Sequence, residues 1–478
     1  MPSDLKKKTA LGMLWSTIER FSTQGVQFIF GIILARILEP KDYGIIAMLT
    51  IFLAISQTFI DSGFGNAIVR KPDRTEKDKC TVFFFNLIMS FVCYGILFFS
   101  APFIASFYGM PELCLILRIL ALRLIIQSVN TIQYLTLTIA LDFKAIAKIS
   151  LFAAILSGFA GIYFAYTGHG VFALVYQSLI SSALTSVFYF FVAKWHPTSF
   201  ISKESFKNLF SYGSKLLLSG LIDKVYTNIY PLVIGKFYTP AELGGYSKAS
   251  HFASFPSSNL TSILQRVSFP VLSKLLNDKE KLRNGYLKFL NASSFLIFPL
   301  MLGLLALAKP LVLLVLTEKW SGMILILQIL CLSMMWYPIH AINLNMLQVL
   351  GRSDLFLKLE IIKKIIGIII LCATLPFGIL VLCYGKILNT FICLFINTYY
   401  SKKLMNAGLS VQAKFLVPTF INSCLMAALI IAINSVLPFN YLWQIIISFF
   451  VGILYYFGVN YLFNRKMLSE FYNIFKKK

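Results

Sequence analysis

The sequence has few charged residues for its length, since Asp, Glu, Lys and Arg make up 13% of its 478 residues. A soluble chain normally carries about 25% charged residues. No hydrophilic segment approaches the size of a domain, and the longest lie near 70–80, 194–209 and 273–288. A soluble globular fold is therefore excluded. A membrane enzyme is also disfavoured, because it would ordinarily need a soluble domain or a large external loop.

Motifs for nucleotides and metals are also missing. The sequence contains no G-x-x-x-x-G-K-[ST] loop, which cradles the phosphates of ATP, and no G-x-G-x-x-G or H-E-x-x-H pattern. The eight cysteines form no C-x-x-C pair and lie mostly inside apolar runs, as small buried hydrophobic residues do. The histidines are isolated in sequence, at His169, His196, His251 and His340. We therefore predict no catalytic residues, no metal and no cofactor, and transport that does not use ATP.

Long apolar runs are abundant, since 58% of the residues are hydrophobic. A block such as "TVFFFNLIMSFVCYGILFF" (81–99) is close to the length of about 20 residues that a helix needs to cross a bilayer. Counting these runs against turn residues predicts an all-α polytopic membrane protein with about fourteen transmembrane helices. Their expected positions are 11–37, 43–69, 81–107, 113–136, 145–166, 169–193, 210–236, 250–272, 290–316, 321–349, 355–375, 378–400, 414–435 and 440–463.

The net charge of +24 follows from where the basic residues lie. They concentrate in alternate loops, such as 70–79 and 273–288, and in the tail at 475–478. The intervening loops 108–112 and 437–440 carry no Lys or Arg. Membrane proteins show this excess of basic residues in their cytoplasmic loops. The pattern predicts that both termini are cytoplasmic, and nucleic acid is not needed as a partner to explain the charge.

One motif occurs twice along the chain, in "ARILEPKDYG" (35–44) and "GKFYTPAELGGY" (235–246). A shift of 200 residues superimposes Pro40, Asp42 and Gly44 on Pro240, Glu242 and Gly244. Six predicted spans separate the copies, an even number, so both copies enter the membrane the same way up, as in a parallel repeat. Proline stops a helix and glycine permits a tight reversal, so we expect the motif itself to be structural.

The repeat predicts two six-helix lobes, residues 1–200 and 201–400, around a central cavity. Spans 11 to 14 have no repeat partner and are interpreted as an appended bundle, and residues 401–478 are expected to add helices 13 and 14 and a basic tail. In transporters built from such repeats, the substrate binds near the bilayer midplane between the repeats.

Polar residues inside the predicted spans are expected to line that cavity, because ionisable groups at such depth usually face a bundle interior or water. Arg123, Gln127 and Asn130 share one face of the fourth span. The predicted cavity residues are Arg20, Gln24, Gln27, Arg118, Arg123, Gln127, Lys224, Asn228 and Arg266. Asp61 and Asp223 are candidates for ion coupling.

The signs of these deep charges indicate the class of cargo. Structural salt bridges are the competing explanation, since Asp61 could pair with Arg20 and Asp223 with a neighbouring lysine. The deep groups are nevertheless mainly cationic, and a basic cavity in a low dielectric attracts anions. Phosphate is the expected anion, because the guanidinium fork of arginine matches its geometry.

Five stretches resemble one family in their order along the chain. They are "LARILEPKDYG" (34–44), "FIDSGFGNAIVRK" (59–71), "LQRVSFPVLSKLLNDKEKLRNGY" (264–286), "LTEKWSGMILILQIL" (316–330) and "NMLQVLGRSDLFLKLEII" (345–362). They are similar to the Wzx-type flippases of lipid-linked oligosaccharides, within the multidrug/oligosaccharidyl-lipid/polysaccharide exporter superfamily. The resemblance extends from the N-terminus to about residue 365.

The resemblance implies a secondary transporter that moves polyprenyl-pyrophosphate-linked oligosaccharide from the cytoplasmic to the outer leaflet of the bacterial inner membrane. Alternating access of the lobes would serve lipopolysaccharide, capsule or exopolysaccharide assembly. The implied partners are that lipid, the surrounding membrane lipids, H⁺ or Na⁺ as coupling ion, and polymerase or export machinery. The alternatives are a drug exporter of the same superfamily, a membrane-embedded transferase acting on lipid-linked sugars, and a flippase for the peptidoglycan precursor.

Overall fold

The computed structural model describes residues 3–436 and 440–463, and it describes the side chains from Trp15 onward, apart from Tyr212 and Phe463. The described chain is helical with no strand, which confirms the predicted all-α class. The predicted basic tail at 475–478 and most of the loop at 437–440 lie outside the described residues.

The chain divides by packing into two compact units, Met1–Gly244 and Gly245–Lys478. The helices of the first unit are α1 (Ser3–Ile37), α2 (Pro40–Asp61), α3 (Phe64–Arg70), α4 (Glu76–Tyr108), α5 (Glu112–Ser128), α6 (Thr131–Ile139), α7 (Phe143–Tyr166), α8 (Val171–Ala193) and α9 (Lys203–Phe237). Helix α10 (Pro240–Ser273) begins in the last residues of the first unit. The second unit continues with α11 (Lys279–Ala306), α12 (Ala308–Val315), α13 (Met323–Met334), α14 (Tyr337–Val349), α15 (Ser353–Thr374), α16 (Ile379–Met405), α17 (Leu409–Val436) and α18 (Tyr441–Phe463).

Nine segments of the described chain are long and apolar enough to cross a membrane. They are Pro40–Arg70, Glu76–Tyr108, Phe143–Tyr166, Val171–Ala193, Lys279–Ala306, Met323–Val349, Ile379–Met405, Leu409–Val436 and Tyr441–Leu462. The other five predicted spans are also largely helical, but none of them is both long enough and apolar enough to be included. They lie at 11–37, 113–136, 210–236, 250–272 and 355–375. The chain is thus a multi-pass membrane protein, whereas the count of fourteen remains a prediction.

The repeated motif marks the start of a helix in both copies. Helices α1 and α9 each have 35 residues and lie 200 positions apart, and the helices that follow begin at Pro40 and Pro240. In each copy, the acidic residue two positions after the proline caps the N-terminus of the helix. Asp42 accepts a hydrogen bond from the Glu39 amide at 3.0 Å, and Glu242 accepts one from the Thr239 amide at 2.9 Å. Proline at the first helical position and an acid at the third both favour helix initiation.

The interpretation of the motif's glycine as a tight reversal is wrong. Gly44 and Gly244 lie inside α2 and α10, and neither has a positive φ. A Cβ on Gly44 would lie 1.8 Å from the carbonyl oxygen of Pro240, and one on Gly244 would lie 1.9 Å from that of Pro40. The two copies of the motif therefore pack backbone against backbone, which only residues without a Cβ permit.

The first unit extends beyond the predicted lobe boundary at residue 200 because α9 packs along α2. The two helices approach closely at glycines. A Cβ on Gly235 would lie 2.9 Å from Cγ of Met48, and one on Gly220 would lie 3.1 Å from Cγ2 of Thr58. The predicted division into lobes 1–200 and 201–400 and the segment 401–478 remains a prediction. It follows from the repeat in the sequence, whereas the two compact units follow from the packing of the helices.

A buried hydrogen-bond network joins four helices of the second unit. The Tyr286 hydroxyl of α11 and the Ser401 hydroxyl of α16 donate to Asn343 Oδ1 of α14, at 2.7 and 2.8 Å. Gln412 of α17 donates to the Tyr286 hydroxyl at 2.8 Å. Helix α18 is tied to the same unit, since its Tyr456 hydroxyl donates to the Phe295 carbonyl at 2.8 Å. The last two helices are therefore packed into the second unit.

Candidate functional site

A cavity of about 400 Å³ lies within the first unit, between α2, α5, α8 and α9. This volume falls in the range of about 300–1,000 Å³ that is usual for ligand sites. Leucines form much of the apolar wall, at Leu53, Leu120, Leu124 and Leu174. The polar lining residues are Thr50, Gln57, Thr58, Asp61, Arg123, Gln127, Ser178 and Lys224. An apolar wall with a few convergent polar groups is the common composition of a small-molecule site.

The charges of the cavity come from three different helices. Arg123 of α5 and Lys224 of α9 are both exposed, and each contributes a positive charge. Asp61, at the end of α2, contributes one negative charge and accepts a hydrogen bond from Gln57 Nε2 at 2.9 Å. The Lys224 ammonium attracts the Asp61 carboxylate electrostatically. With two cations against one acid, the cavity has a positive balance that favours an anionic ligand.

A ladder of hydrogen bonds connects the polar face of α5 to α8. Two side chains of α5, and Asn130 just before α6, donate to serine hydroxyls one turn apart on α8. The pairs are Arg123 with Ser178 at 3.3 Å, Gln127 with Ser182 at 3.3 Å and Asn130 with Ser186 at 2.8 Å. All three side chains thus contact α8, although Asn130 lies beyond the end of α5. The Arg123 end of the ladder opens into the cavity.

The second unit contains a ladder of the same kind, between α13, α14 and α16. Its pairs are Ser333 with Thr390 at 2.9 Å, His340 with Asn397 at 3.1 Å and Asn343 with Ser401 at 2.8 Å. The partners are 57 or 58 positions apart, against 55 or 56 in the first unit. The six paired residues of this second ladder include no Arg or Lys, so the repeated units share the ladder but not its charge.

The cavity brings together four of the eleven predicted site residues, namely Asp61, Arg123, Gln127 and Lys224. Within the described residues, its lining does not include the other seven, which are Arg20, Gln24, Gln27, Arg118, Asp223, Asn228 and Arg266. Charged side chains of predicted spans 2, 4 and 7 thus line one cavity. The polar stripe of the first span lies elsewhere in the unit.

The residues outside the cavity have other environments. Arg118 donates to the Phe98 carbonyl at 3.3 Å, and its guanidinium carbon lies 4.2 Å from the centre of the Phe98 ring. Arg20, half-buried on α1 like Gln24, lies next to Glu19, which hydrogen-bonds Ser150 of α7. Gln27 of α1 is exposed.

The remaining three lie on α9 and α10. The Asn228 amide donates to the Lys224 carbonyl of its own helix at 2.8 Å. Asp223 is exposed on α9, and its carbonyl accepts the Thr227 hydroxyl at 2.9 Å. Arg266 is exposed on α10 in the second unit.

Sequence reasoning missed several residues that line the cavity or hold its side chains, among them Gln57 and two serines of α8. Gln57 orients Asp61, and its own Oε1 is buried with no hydrogen-bond partner in the described chain. Ser178 and Ser182 of α8 contact Arg123 and Gln127. The signal was present, because the serines of α8 recur every four residues at 178, 182 and 186. Serine hydroxyls are common in apolar helices, however, so a stripe of serines is a weaker sign of a binding site than a stripe of charged residues.

Comparison with known proteins is consistent with this membrane fold. The profile of a family described as "Polysaccharide biosynthesis protein" matches residues 33–325. The teichuronic acid biosynthesis protein TuaB of Bacillus subtilis is 27% identical over 358 residues, 74% of each chain. The lipopolysaccharide biosynthesis protein WzxC of Escherichia coli is 26% identical over 367 residues, 76% of this chain and 74% of WzxC.

Among solved structures, the chain is similar to the lipid II flippase MurJ in an inward closed conformation. The TM-score is 0.77, and the match covers 95% of this chain and all of the MurJ chain. Because the sequences are only 15% identical, this similarity shows a shared fold.

Proposed function

The chain belongs to the polysaccharide biosynthesis protein family, and we propose that it flips polyprenyl-pyrophosphate-linked oligosaccharides from the cytoplasmic to the outer leaflet of the bacterial inner membrane. It would do so as a secondary transporter, by alternating access, for the assembly of a surface polysaccharide. The resemblance to Wzx-type flippases and the relatives TuaB and WzxC support this cargo. The fold shared with MurJ is compatible with it.

The observation that carries the proposal is the pair of cations, Arg123 and Lys224, at one cavity among apolar helices. A charged group inside a bilayer is costly, so it is retained where it faces water or a ligand. A pyrophosphate faces the same cost when it crosses hydrocarbon without a partner. A polar cavity with two cations lowers that cost for the head group, while the prenyl chain stays in the lipid.

The polar side chains of the cavity suit the sugar that follows the pyrophosphate. The Gln127 amide is fixed by its hydrogen bond to Ser182, and its oxygen can accept from a hydroxyl group. Gln57 Oε1, which lacks a partner within the described chain, is a second such acceptor. We assign Arg123 and Lys224 to the pyrophosphate and these two amides to sugar hydroxyl groups.

Ion coupling is proposed for Asp61. An anionic head group beside Arg123 and Lys224 places further negative charge near the Asp61 carboxylate. Like charges disfavour each other at short range, so head-group binding favours uptake of H⁺ or Na⁺ by Asp61. In this scheme the ion and the anionic cargo bind together, so the rate of flipping depends on the ion concentration on the side where the cargo binds.

The test is the sidedness of the cargo after deletion of the gene in its host. We expect a complete lipid-linked repeat unit to accumulate facing the cytoplasm, measured by its accessibility to a sugar-modifying enzyme in oriented membrane vesicles. Normal arrival of the repeat unit at the outer leaflet, with no second flippase present, would falsify the proposal. Drug sensitivity with unchanged surface polysaccharide would indicate a drug exporter instead. Chemical alteration of the lipid-linked sugar by the purified protein would indicate a transferase.

A further inference from the structure

Helix α8 brings no charge to the cavity, yet it contacts both of the α5 side chains that line it. Ser178 Oγ accepts the hydrogen bond from Arg123 Nη1, and Ser182 Oγ accepts the one from Gln127 Nε2. The Ser182 hydroxyl itself donates to the Ser178 carbonyl at 2.9 Å. Its lone pairs are therefore left for the Gln127 amide, and the donor and acceptor roles along this face of α8 are fixed.

A long arginine side chain needs such a contact if it is to present its charge in one direction. Arginine has many rotamers, and holding it in one of them costs conformational entropy at the moment of binding. The guanidinium has five N–H donors in a planar fork, and Ser178 occupies only one of them. The hydrogen bond thus holds the plane of the fork and leaves the other donors available for phosphate oxygens.

We propose that Ser178 and Ser182 are positioning residues, which hold Arg123 and Gln127 at the cavity before the lipid head group enters. This inference rests on the proposed function. The two serines act on different parts of the lipid. Ser178 holds Arg123, which is assigned to the pyrophosphate, and Ser182 holds Gln127, which is assigned to the sugar. Preorganised donors of this kind raise affinity by removing the entropy cost of ordering them during binding.

The second unit supplies an internal comparison. Ser333 and Thr390 form one rung of its ladder, with their hydroxyl oxygens 2.9 Å apart. Ser333 is buried like much of its helix, but this rung holds no charged side chain. Removing the Ser333 hydroxyl therefore breaks the same type of contact between helices without releasing a cation. Any effect that follows merely from loosening a ladder should be the same in both units.

The experiment measures binding to the full-length protein in lipid nanodiscs by native mass spectrometry. Two probes are used, a polyprenyl pyrophosphate without sugar and the same lipid carrying one sugar, and the uncharged polyprenol serves as the reference lipid. We expect Ser178→Ala to bind the sugar-free probe about tenfold more weakly, and Ser178→Thr to restore binding because it keeps the hydroxyl. Ser182→Ala should weaken only the sugar-carrying probe, and Ser333→Ala should change neither probe by more than about twofold. Melting temperatures of all four variants report on folding.

The outcomes separate this inference from the function on which it rests. Equal weakening by Ser178→Ala and Ser333→Ala, or no weakening by Ser178→Ala while the wild type binds the probe, would overturn the positioning role alone. If the wild type binds the pyrophosphate lipid no better than the uncharged polyprenol, the proposed anionic cargo is wrong and the positioning role falls with it.

Discussion

Arg123 and Arg118 lie on the same helix and carry the same charge, but they contact different surroundings. Arg123 lines the cavity, whereas Arg118 is held by the carbonyl and ring of Phe98. We expect Arg123→Ala to reduce flipping by about 100-fold or more, the effect of losing a charge-assisted contact of about 3 kcal/mol. Arg118→Ala should retain most of the transport.

The measurement is the flipping rate of a lipid-linked oligosaccharide in proteoliposomes, normalised to the amount of folded protein. A parallel loss of rate in both variants would show that Arg123 acts through the fold and not through the cargo.

Asp61 and Asp223 were both predicted as ion-coupling residues, and only Asp61 lines the cavity. Replacing Asp61 by asparagine removes the negative charge that Lys224 attracts but keeps a hydrogen-bond acceptor for Gln57. We expect D61N to bind the anionic lipid at least as tightly as the wild type, since the cavity becomes more positive. Its flipping rate should no longer depend on an imposed H⁺ or Na⁺ gradient. D223N is the matched control and should keep the gradient dependence; a D61N protein that still follows the gradient would exclude the coupling role.

The sequence predicted which residues of one helix share a face, because that follows from the helical period alone. It could not predict which neighbour the face contacts. Arg123, Gln127 and Asn130 donate hydrogen bonds to serines that lie more than fifty positions later in the sequence. Such a pairing is determined by the packing between helices. The stripe on α1 had the same periodicity, but α1 packs mainly along α7, and Arg20 lies beside Glu19 instead of in the cavity.

At the scale of the elements, the close contact of α2 and α10 gives a sharp prediction for Gly44. An alanine Cβ at Gly44 would lie 1.8 Å from a backbone oxygen, so one of the two helix starts must move. Overpacking of this kind costs about 1–3 kcal/mol or more. We expect G44A to lower the melting temperature and the transport rate. Gly95 lies inside α4 in open space, since a Cβ added there would have no neighbouring atom within 4 Å.

Gly95→Ala is therefore the control, and it should be neutral or stabilising, because alanine favours helix by up to about 1 kcal/mol over glycine. Thermal unfolding in detergent checks both variants. A G44A protein with the melting temperature of the wild type would contradict the contact.

The buried network around Asn343 ties α11, α14, α16 and α17 together. Asn343→Leu removes the acceptor of Tyr286 and Ser401, and it also removes the partner of Gln412. Interhelical hydrogen bonds in membrane proteins average about 0.6 kcal/mol each, so the expected loss of stability is about 2 kcal/mol. Asn345 makes one such bond, to Ser268 at 2.8 Å. Asn345→Leu should cost about a third as much, as measured by SDS unfolding; equal costs would show that the network adds nothing beyond a single bond.

At the scale of the whole molecule, the number of membrane crossings remains to be tested. The fourteen-span topology places residue 110 outside the cytoplasm and residue 141 inside it, on the two sides of α5 and α6. Alkaline phosphatase fused after residue 110 should be active, because the enzyme folds outside the cytoplasm, and the fusion after residue 141 should be inactive. Activity at both positions would show that the fourth predicted span does not cross.

The overall architecture was more predictable than the number of spans. Apolar runs identified the helices, and the 200-residue offset of the motif matches the equal lengths and positions of α1 and α9. Composition alone could not count the spans, because a helix that carries charged and polar residues has a lower mean hydropathy than a fully apolar one. Five predicted spans are not both long and apolar enough to be identified as membrane helices by composition. Three of them, at 11–37, 113–136 and 210–236, contain the charged residues Arg20, Arg123 and Lys224, respectively.

The backbone contact between the two motif glycines has a consequence for genetics. In most packed interfaces, an enlarged residue can be rescued by trimming the side chain opposite. Here each glycine opposes a main-chain carbonyl, at Pro240 or Pro40, which no amino-acid substitution can remove. Selections for suppressors of G44A should therefore recover same-site revertants and substitutions elsewhere that shift the position of a whole helix. They should recover no compensating substitution at residue 240 or 244.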